Sequence, residues 1–179
     1  MTETAEAGEN FPQPAVVADV DGPWDVSFQE HRGGPEGVVR MDSLSDWTTS
    51  QDARIRYFSG TATYKTTFKV KKLPATPAYI DLGKVMVMAR VRLNGQELGG
   101  VWTYPYQLNV AGLLRKGNNE LEVEVVNCWR NRLIGEKTMP ESERFTFQTA
   151  TYLNEQSELQ SSGLLGPVRI LGYDYQLCP

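Results

Sequence analysis

The sequence has little cysteine, little histidine and no excess of basic charge. Its 179 residues include two cysteines and one histidine. Two cysteines are too few for a disulfide framework, and neither has a second thiol or a histidine at zinc-ligand spacing. We expect Cys128 to be a buried thiol and Cys178 to be an incidental one near the terminus. A single histidine, His31, also limits the catalytic options.

The charge balance and the hydropathy exclude two classes of partner. With 18 basic against 22 acidic residues, the net charge of -4 offers no polycationic surface for a phosphate backbone. No stretch approaches the roughly 18 consecutive apolar residues that a membrane span needs. The first residues also lack a basic region followed by an apolar core, so we expect no export signal in the chain as given. We therefore expect neither a nucleic-acid partner nor a membrane partner.

One folded unit is expected to follow a short tail. Residues 1–15 are acidic, polar and proline-bearing, which is typical of a flexible N-terminal tail or linker. Residues 16–179 then form a single domain in our interpretation, because a chain of this size buries roughly 70% of its unfolded surface around one core. The sequence shows no internal repeat of fixed period.

Alternation with a period of two dominates the folded part. Between Ala62 and Val70, apolar residues mostly at even positions alternate with Thr and Lys, so Tyr64 and Phe68 should face a core. Residues 120–125 alternate glutamate with aliphatic residues as clearly, which predicts a strand with one face in water. A strand follows from each pattern.

Other segments add strands and turns but little helix. Residues 85–93 are apolar first and mixed later, so we expect a strand whose first half is buried on both faces. The Asn94-Gly95 pair favours a tight hairpin turn into the next strand. A late strand is predicted over 167–171 and another over 173–177. At most one helical turn is expected near each of two segments, 110–114 and 43–47.

These features together predict an all-β fold with little helix. Several strands separated by regular turns are typical of an antiparallel β-sandwich of the jelly-roll kind. Trp24 and Trp47 lie among apolar positions and should pack in its core.

The densest mixture of aromatic and polar groups is the segment Asn127–Glu136, directly after the 120–125 strand. Sugars are recognised by an aromatic ring on their C–H faces and by planar amide, guanidinium and carboxylate groups on their hydroxyls. The segment therefore predicts a ligand-binding loop, with these candidates: Trp129, Arg130, Asn131, Arg132 and Glu136. A structural role is the alternative, with Trp129 as a core plug and with Asn127 and Arg132 holding the loop in shape. On that alternative, Arg130, Asn131 and Glu136 are the stronger ligand candidates.

A second aromatic cluster follows the Gly99-Gly100 pair. In an extended segment, Trp102, Tyr104 and Tyr106 would share a face and could form a stacking platform. We take Trp102 and Tyr104 as ligand-binding candidates and Tyr106 as a core residue. The loop 29–35 would either supply rim contacts for a ligand or be a solvated turn.

Several short motifs recur in an order that is similar to a known family. They are Gly60-Thr61-Ala62-Thr63-Tyr64, Leu93-Asn94-Gly95, Gly99-x-x-Trp102-x-x-Pro105-Tyr106, Lys116-Gly117-x-Asn119-x-Leu121, Val126-Asn127 and Ser162-Gly163-Leu164-Leu165-Gly166-Pro167-Val168. The series resembles the sugar-binding, galactose-binding-like jelly-roll domain of family 2 glycoside hydrolases. The run from Trp129 to Glu136 is closer still to the C-terminal β-sandwich of bacterial family 106 α-L-rhamnosidase-like proteins. The resemblance covers roughly Gly22 to Leu171.

The resemblance implies a domain that accompanies a catalytic barrel in a parent enzyme that is periplasmic or extracellular. The barrel and its catalytic carboxylates are not expected in this chain, so the chain alone is not expected to be an enzyme. Its leading function is then a non-catalytic carbohydrate-binding module. The alternative is a structural accessory domain that packs on the catalytic domain and shapes its active site without binding free sugar. In either case the expected partners are carbohydrate and the parent's catalytic domain.

Two further possibilities concern carboxylates. A freestanding glycoside hydrolase would need a pair of them roughly 5 to 9.5 Å apart, for which Glu136, Glu141 and Glu143 are the candidates. We expect no cofactor, but the sequence leaves open a structural calcium of the kind that galactose-binding-like jelly rolls hold. Three aspartates are the candidate ligands: Asp19, Asp21 and Asp25.

Overall fold

Strands make up most of the regular structure of the computed structural model, which describes residues 14–74, 77–147 and 152–173. In those ranges the strands are β1 (Ala15–Asp19), β2 (Trp24–Phe28), β3 (Val38–Met41), β4 (Thr61–Val70), β5 (Ala78–Asp81), β6 (Lys84–Met86), β7 (Met88–Leu93), β8 (Gln96–Val101), β9 (Gln107–Asn109), β10 (Gly117–Val126), β11 (Gly163–Gly166) and β12 (Arg169–Gly172). The helices are α1 (Ala53–Arg56) and α2 (Arg130–Gly135), and 3₁₀ turns cover Glu30–Arg32, Trp47–Thr49, Glu136–Thr138 and Glu141–Glu143. Across these ranges no helix has the length and apolar character to cross a membrane.

The strands form an antiparallel β-sandwich, as the sequence predicts. One sheet has six strands in the order β3-β2-β4-β10-β7-β8, and the other has four in the order β1-β12-β5-β9. A small two-stranded sheet joins β11 to β6. One cluster of buried apolar side chains includes residues from all three sheets. Strand β1 begins at Ala15, and residues 1–13 of the predicted tail lie outside the described residues.

The clearest alternating patterns become the longest strands. Strands β4 and β10 pair along their whole length, from Val70 opposite Gly117 to Thr61 opposite Val126. The even positions of β4 are buried, which confirms that Tyr64 and the other predicted residues face the core. The predicted hairpin is also confirmed, since residues 94 and 95 both have positive φ angles and join β7 to β8.

An aromatic cluster fills the centre of the sandwich. Trp47 lies 5.3 Å from Phe28, 5.6 Å from Phe58 and 6.5 Å from Tyr64, measured between ring centroids. Trp47 Nε1 donates to the Tyr64 hydroxyl at 2.6 Å, and burial raises the pKa of that hydroxyl to about 12. Trp24 and Trp47 are 0% and 1% exposed, so both are core residues as predicted.

Asp46 joins the 3₁₀ turn Trp47–Thr49 to the segment before β11. Its Oδ1 accepts hydrogen bonds from Thr48 N and Ser162 N, both at 3.0 Å. Burial on its own would raise the pKa of Asp46, but hydrogen bonds from Ser161, Thr48 and Ser162 outweigh it and hold the pKa below the usual value. The ionised carboxylate therefore stabilises this junction.

The outer face of the six-stranded sheet carries a row of alternating charges. Directly opposed residues along this row belong to six successive strands. They are Arg40, Asp25, Lys65, Glu122, Arg92 and Glu97. Glu122 sits between two cations, 3.0 Å from Lys65 Nζ and 3.1 Å from Arg92 Nη1. The three cations and three anions of this row therefore balance one another.

One predicted strand is wrong in its burial. The segment 85–93 is not a single strand buried on both faces at its start, because the chain changes sheets at Val87. Strand β6 before it pairs with β11, whereas β7 after it pairs with β10 and β8. Val87 and Met88 are each 42% exposed as a result.

The late strand and the weak helical segments also differ in detail. The predicted strand over 167–171 is observed as β12, which starts two residues later and ends one residue later, and it is preceded by the separate strand β11. Tyr173 lies outside a strand, and residues 174–177 lie outside the described ones. Val110 O accepts from two amides of the next turn, as expected for a single helical turn there. The other predicted turn starts later, at Trp47.

Candidate functional site

Both aromatic segments leave the six-stranded sheet at the same end. Strands β8 and β10 lie on either side of β7, and their last residues, Val101 and Val126, lie opposite Ala89 and Met88. The chain after β8 and the chain after β10 are therefore two strand spacings apart, or about 10 Å. This surface is called the aromatic end below, and it comprises Val87, Met88, Trp102, Tyr104 and Trp129.

Large apolar side chains are unusually exposed at the aromatic end. Trp102 is 71% exposed, Tyr104 82% and Trp129 46%. Exposed apolar side chains that lie near one another are candidates for contact with a ligand or another protein. Tyr106 in the same connection is half-buried against the core, which agrees with its predicted packing role.

The segment 127–136 is mainly a short helix and not the loop that the sequence predicts. Helix α2 and the following 3₁₀ turn fold because one face packs on the protein and the other faces solvent. Asn131, Arg132, Ile134 and Glu136 are buried. The i, i+4 spacing of Arg132 and Glu136 is the sequence signal that would have indicated a helix.

Asn127 and Asn131 anchor this segment to the rest of the chain. Gly60 N donates to Asn127 Oδ1 at 3.0 Å, and Asn127 Nδ2 donates to Phe58 O at 2.7 Å. Asn131 Nδ2 donates to Gln160 O at 2.6 Å, and Gln160 N donates back to Asn131 Oδ1 at 2.8 Å. Both asparagine side-chain amides therefore form hydrogen bonds within the protein. Asn131 is only 2% exposed, so the prediction that its side chain faces a ligand is wrong.

Arg132 and Glu136 lie on the inner face of α2. Arg132 Nη2 donates to Arg32 O at 2.6 Å, and burial lowers the pKa of this guanidinium, with Glu136 opposing the shift. Glu136 is 1% exposed and accepts from Phe145 N at 3.0 Å, Thr146 N at 3.2 Å and the Thr146 hydroxyl. The predicted placement of both side chains on an exposed loop is wrong, because each one fastens a neighbouring segment.

Trp129 and Arg130 lie on the outer face. The Arg32 guanidinium lies 5.4 Å from the centre of the Trp129 ring, which is a cation–π distance. Because Trp129 is about half exposed, it is not the core plug that the alternative interpretation required. Arg130 Nε and Nη2 both donate to Glu158 O at 3.1 Å. Arg32 was not singled out from the sequence, since nothing local indicates a contact with a residue so far along the chain.

The predicted ligand-binding residues therefore fall into two groups. Trp102, Tyr104, Trp129 and Arg130 reach the surface at or beside the aromatic end. The remaining candidates, Asn131, Arg132 and Glu136, are held in the interior. Binding by the surface group stays a prediction.

The other sequence candidates lie apart from one another. Asp19 pairs with Arg169 and Asp25 with Arg40, and no group of three or more His, Cys, Asp or Glu side chains comes together in the described part of the chain. The structural calcium stays an untested prediction. The predicted burial of Cys128 is wrong, because its thiol is exposed between the end of β10 and α2.

Comparison with known proteins identifies what the chain resembles. Residues 43–161 match the family model described as "Glycosyl hydrolase 2 galactose-binding domain-like". A protein of Formosa agariphila named "Putative beta-glucuronidase" is 39% identical over 188 residues. That match covers 90% of this chain and 16% of the Formosa protein.

Solved structures give a consistent picture. A rhamnosidase from Novosphingobium sp. PP1Y superposes with a TM-score of 0.83 and 34% identity, over 95% of this chain and 16% of the rhamnosidase. A beta-glucuronidase from an uncultured Clostridium sp. has a TM-score of 0.59 and 17% identity, over 98% of this chain and 31% of that one, and it shows the fold alone. The chain spans about a sixth of the length of the first two relatives.

Proposed function

Because the chain belongs to the family of glycosyl hydrolase 2 galactose-binding-like domains, we propose that it is a non-catalytic accessory domain whose aromatic end contacts carbohydrate. The parent would be a larger glycoside hydrolase, since the chain corresponds to about a sixth of the proteins it resembles. Catalysis would then reside outside this chain.

The exposure of three aromatic rings at one end of the sheet is the observation that carries this proposal. Trp102, Tyr104 and Trp129 are exposed aromatic side chains, against which the C–H faces of a pyranose could stack. Arg130 lies beside Trp129, and Nη1 of its guanidinium is not used in the bonds to Glu158 O. A hydroxyl could accept from that nitrogen.

An open surface of this kind binds weakly. Little area is buried when one or two sugar rings stack on an exposed platform, and water competes for each hydroxyl. We expect dissociation constants near the millimolar range, which corresponds to about -4 kcal/mol.

Titration calorimetry with a panel of neutral and acidic oligosaccharides tests the proposal. We expect saturable binding of at least one member, reduced about tenfold or more by Trp102→Ala or Trp129→Ala with no change in folding. Leu73→Ala is the matched control, because Leu73 is 47% exposed beyond the last residue of β4, at the opposite end of the sheet. Absence of binding across the panel at millimolar concentrations would overturn the proposal.

Docking on the catalytic domain is the second candidate function. Val87 and Met88 favour it, because exposed aliphatic side chains are better suited to a protein interface than to a sugar. Hydrogen exchange distinguishes the two functions: docking predicts that residues around Met88 are more protected in the full-length parent than in the isolated chain. If docking is the only function of the domain, the isolated chain binds no oligosaccharide of the panel.

A freestanding hydrolase is the least supported candidate. Glu136 is enclosed by hydrogen bonds from the 145–146 segment, and Glu141 and Glu143 lie exposed in a 3₁₀ turn. We expect the purified chain to release no product from aryl glycosides. The expectation would be contradicted by product release that co-purifies with the chain and is lost in Glu141→Gln or Glu143→Gln.

A further inference from the structure

The turn between β7 and β8 is an Asn-Gly pair, the dipeptide whose asparagine deamidates most readily. In this reaction the backbone nitrogen of Gly95, which no side chain shields, attacks Cγ of Asn94. The N–Cγ bond forms, the Cγ–Nδ2 bond breaks, and ammonia leaves with the amide proton of Gly95. Water then opens the succinimide to aspartate or isoaspartate. Gly95 is exposed, and a Cβ added to it would meet no atom within 4 Å, so water reaches this turn.

The side-chain amide of Asn94 is nevertheless held by three hydrogen bonds. Nδ2 donates to Leu113 O at 2.8 Å and to Asn119 Oδ1 at 2.9 Å, and Oδ1 accepts from Glu120 N at 3.0 Å. Because Leu113 O can only accept and Glu120 N can only donate, these partners fix which side-chain atom is the nitrogen. Nδ2 is the atom that leaves as ammonia, and both of its hydrogens are engaged. Deamidation therefore requires these bonds to break first.

Asn119 cannot rotate its own amide to follow a change at Asn94. It is fully buried, and its Nδ2 donates to Arg115 O at 2.7 Å and to Gly117 O at 3.1 Å. Arg115 N in turn donates to Asn119 Oδ1 at 2.8 Å. These three bonds hold the Asn119 side-chain oxygen toward Asn94. The position opposite that oxygen therefore accepts only a hydrogen-bond donor.

The product of deamidation does not fit this site. An aspartate at position 94 would place a carboxylate oxygen where Nδ2 now lies, 2.8 Å from Leu113 O and 2.9 Å from Asn119 Oδ1. All three oxygens are acceptors, so repulsion would replace two hydrogen bonds. Isoaspartate would lengthen the backbone of a two-residue turn and change the alignment of β7 with β8.

We propose that Asn94 is a deamidation site that the folded chain protects, and that its modification occurs only when the turn opens and then destabilises the closed turn. Opening of the turn is thereby recorded in the covalent structure. The site is independent of the aromatic end, because Leu93 pairs with Leu121 near the start of β10, whereas Asn127 follows the end of that strand.

Peptide mapping by mass spectrometry measures the rate of deamidation. The chain is incubated in mildly alkaline buffer with and without urea, and trypsin then releases residues 93–115, in which fragmentation assigns the mass increase to Asn94. The folded chain should deamidate there about tenfold or more slowly than the urea-unfolded chain, because the open turn is a minor species. Equal rates in the two conditions would overturn the proposal.

Asn119→Ala separates the effect of these hydrogen bonds from that of overall stability. It removes one partner of Nδ2 and leaves the Asn94-Gly95 pair unchanged. Asn131→Ala is the matched control, because it breaks an asparagine network at the opposite end of the sheet. With urea adjusted to give both variants the same free energy of unfolding, Asn119→Ala should deamidate at Asn94 about fivefold faster. The same rate in both variants would overturn the protective role of the hydrogen bonds.

Asn94→Asp tests directly whether the product fits the closed turn. It should lower the melting temperature by about 4 °C or more, which is the loss expected for two hydrogen bonds. Asn118→Asp is its control, because Asn118 is exposed nearby in β10 and the same change there should leave the melting temperature nearly unchanged. If Asn94→Asp melted at the wild-type temperature, the product would fit and the proposal would be overturned.

Discussion

Asn131→Ala should destabilise the chain strongly, although a sequence-based view would class Asn131 as a surface ligand contact. Its amide makes three hydrogen bonds: to Gln160 O at 2.6 Å, to Ser162 Oγ at 3.0 Å and from Gln160 N at 2.8 Å. These bonds fasten α2 to the segment that leads into β11. Alanine removes all of them and leaves the Gln160 backbone groups without that partner.

The expected magnitude follows from the number of bonds and their burial. Each hydrogen bond contributes about 0.5–1.5 kcal/mol, so the loss amounts to roughly 1.5–4.5 kcal/mol. For a domain of this size each kcal/mol lowers the melting temperature by about 2–4 °C. We therefore expect a decrease of roughly 3–18 °C, measured by thermal and urea unfolding followed by tryptophan fluorescence.

Asn118→Ala is the matched control for this measurement. Asn118 is exposed in β10, so the same change of side chain should alter the free energy of unfolding by less than about 0.5 kcal/mol. If Asn131→Ala also changed it by less than that, the inner face of α2 would not be held as described. The division of α2 into a structural face and a surface face would then fail.

Three further changes test other parts of the structure. Because the pKa of Asp46 is lowered on folding, its contribution is complete above the ordinary aspartate pKa of about 4 and is lost as the pH falls through the folded value. Asp46→Asn should therefore lose less stability than the wild type on acidification, measured by urea unfolding, and an identical pH profile would contradict this. Glu122→Gln should cost about 1 kcal/mol or less in low salt and clearly less in 1 M salt, because it breaks partly exposed pairs with Lys65 and Arg92 that salt screens. Gly163→Ala should cost roughly 3 kcal/mol in thermal unfolding, since φ is +101° and the new Cβ would lie 2.6 Å from Trp47 Nε1. A normal melting temperature would refute that packing.

The elements that depend on local pattern could be predicted from the sequence. Strands β4 and β10 follow from strict alternation, and the turn at Asn94 follows from the residues that accept positive φ angles. The change of sheet at Val87 could not be predicted, because β6 finds its partner β11 far along the chain. The hydropathy of an apolar segment does not show whether its residues belong to one sheet or to two.

That the segment 127–136 directly follows a strand could be predicted from the sequence, but the orientation of its side chains could not. The segment 127–136 does lie at one end of the sheet next to the other aromatic cluster. Which polar residues of this segment face the interior depends on tertiary contacts such as the hydrogen bond from Arg132 to Arg32 O, between residues 100 positions apart. Composition shows which groups are present, whereas tertiary contacts decide which of them remain free.

The tryptophan indole signals in a ¹⁵N–¹H correlation spectrum test the central claim most directly. The chain has four tryptophans, of which Trp24 and Trp47 are buried while Trp102 and Trp129 are exposed. During titration with each oligosaccharide of the panel, the account predicts for at least one of them progressive shifts of the Trp102 and Trp129 indoles, with Trp24 and Trp47 unchanged as internal controls. Four unmoved signals at millimolar concentrations of every oligosaccharide would contradict carbohydrate contact at the aromatic end.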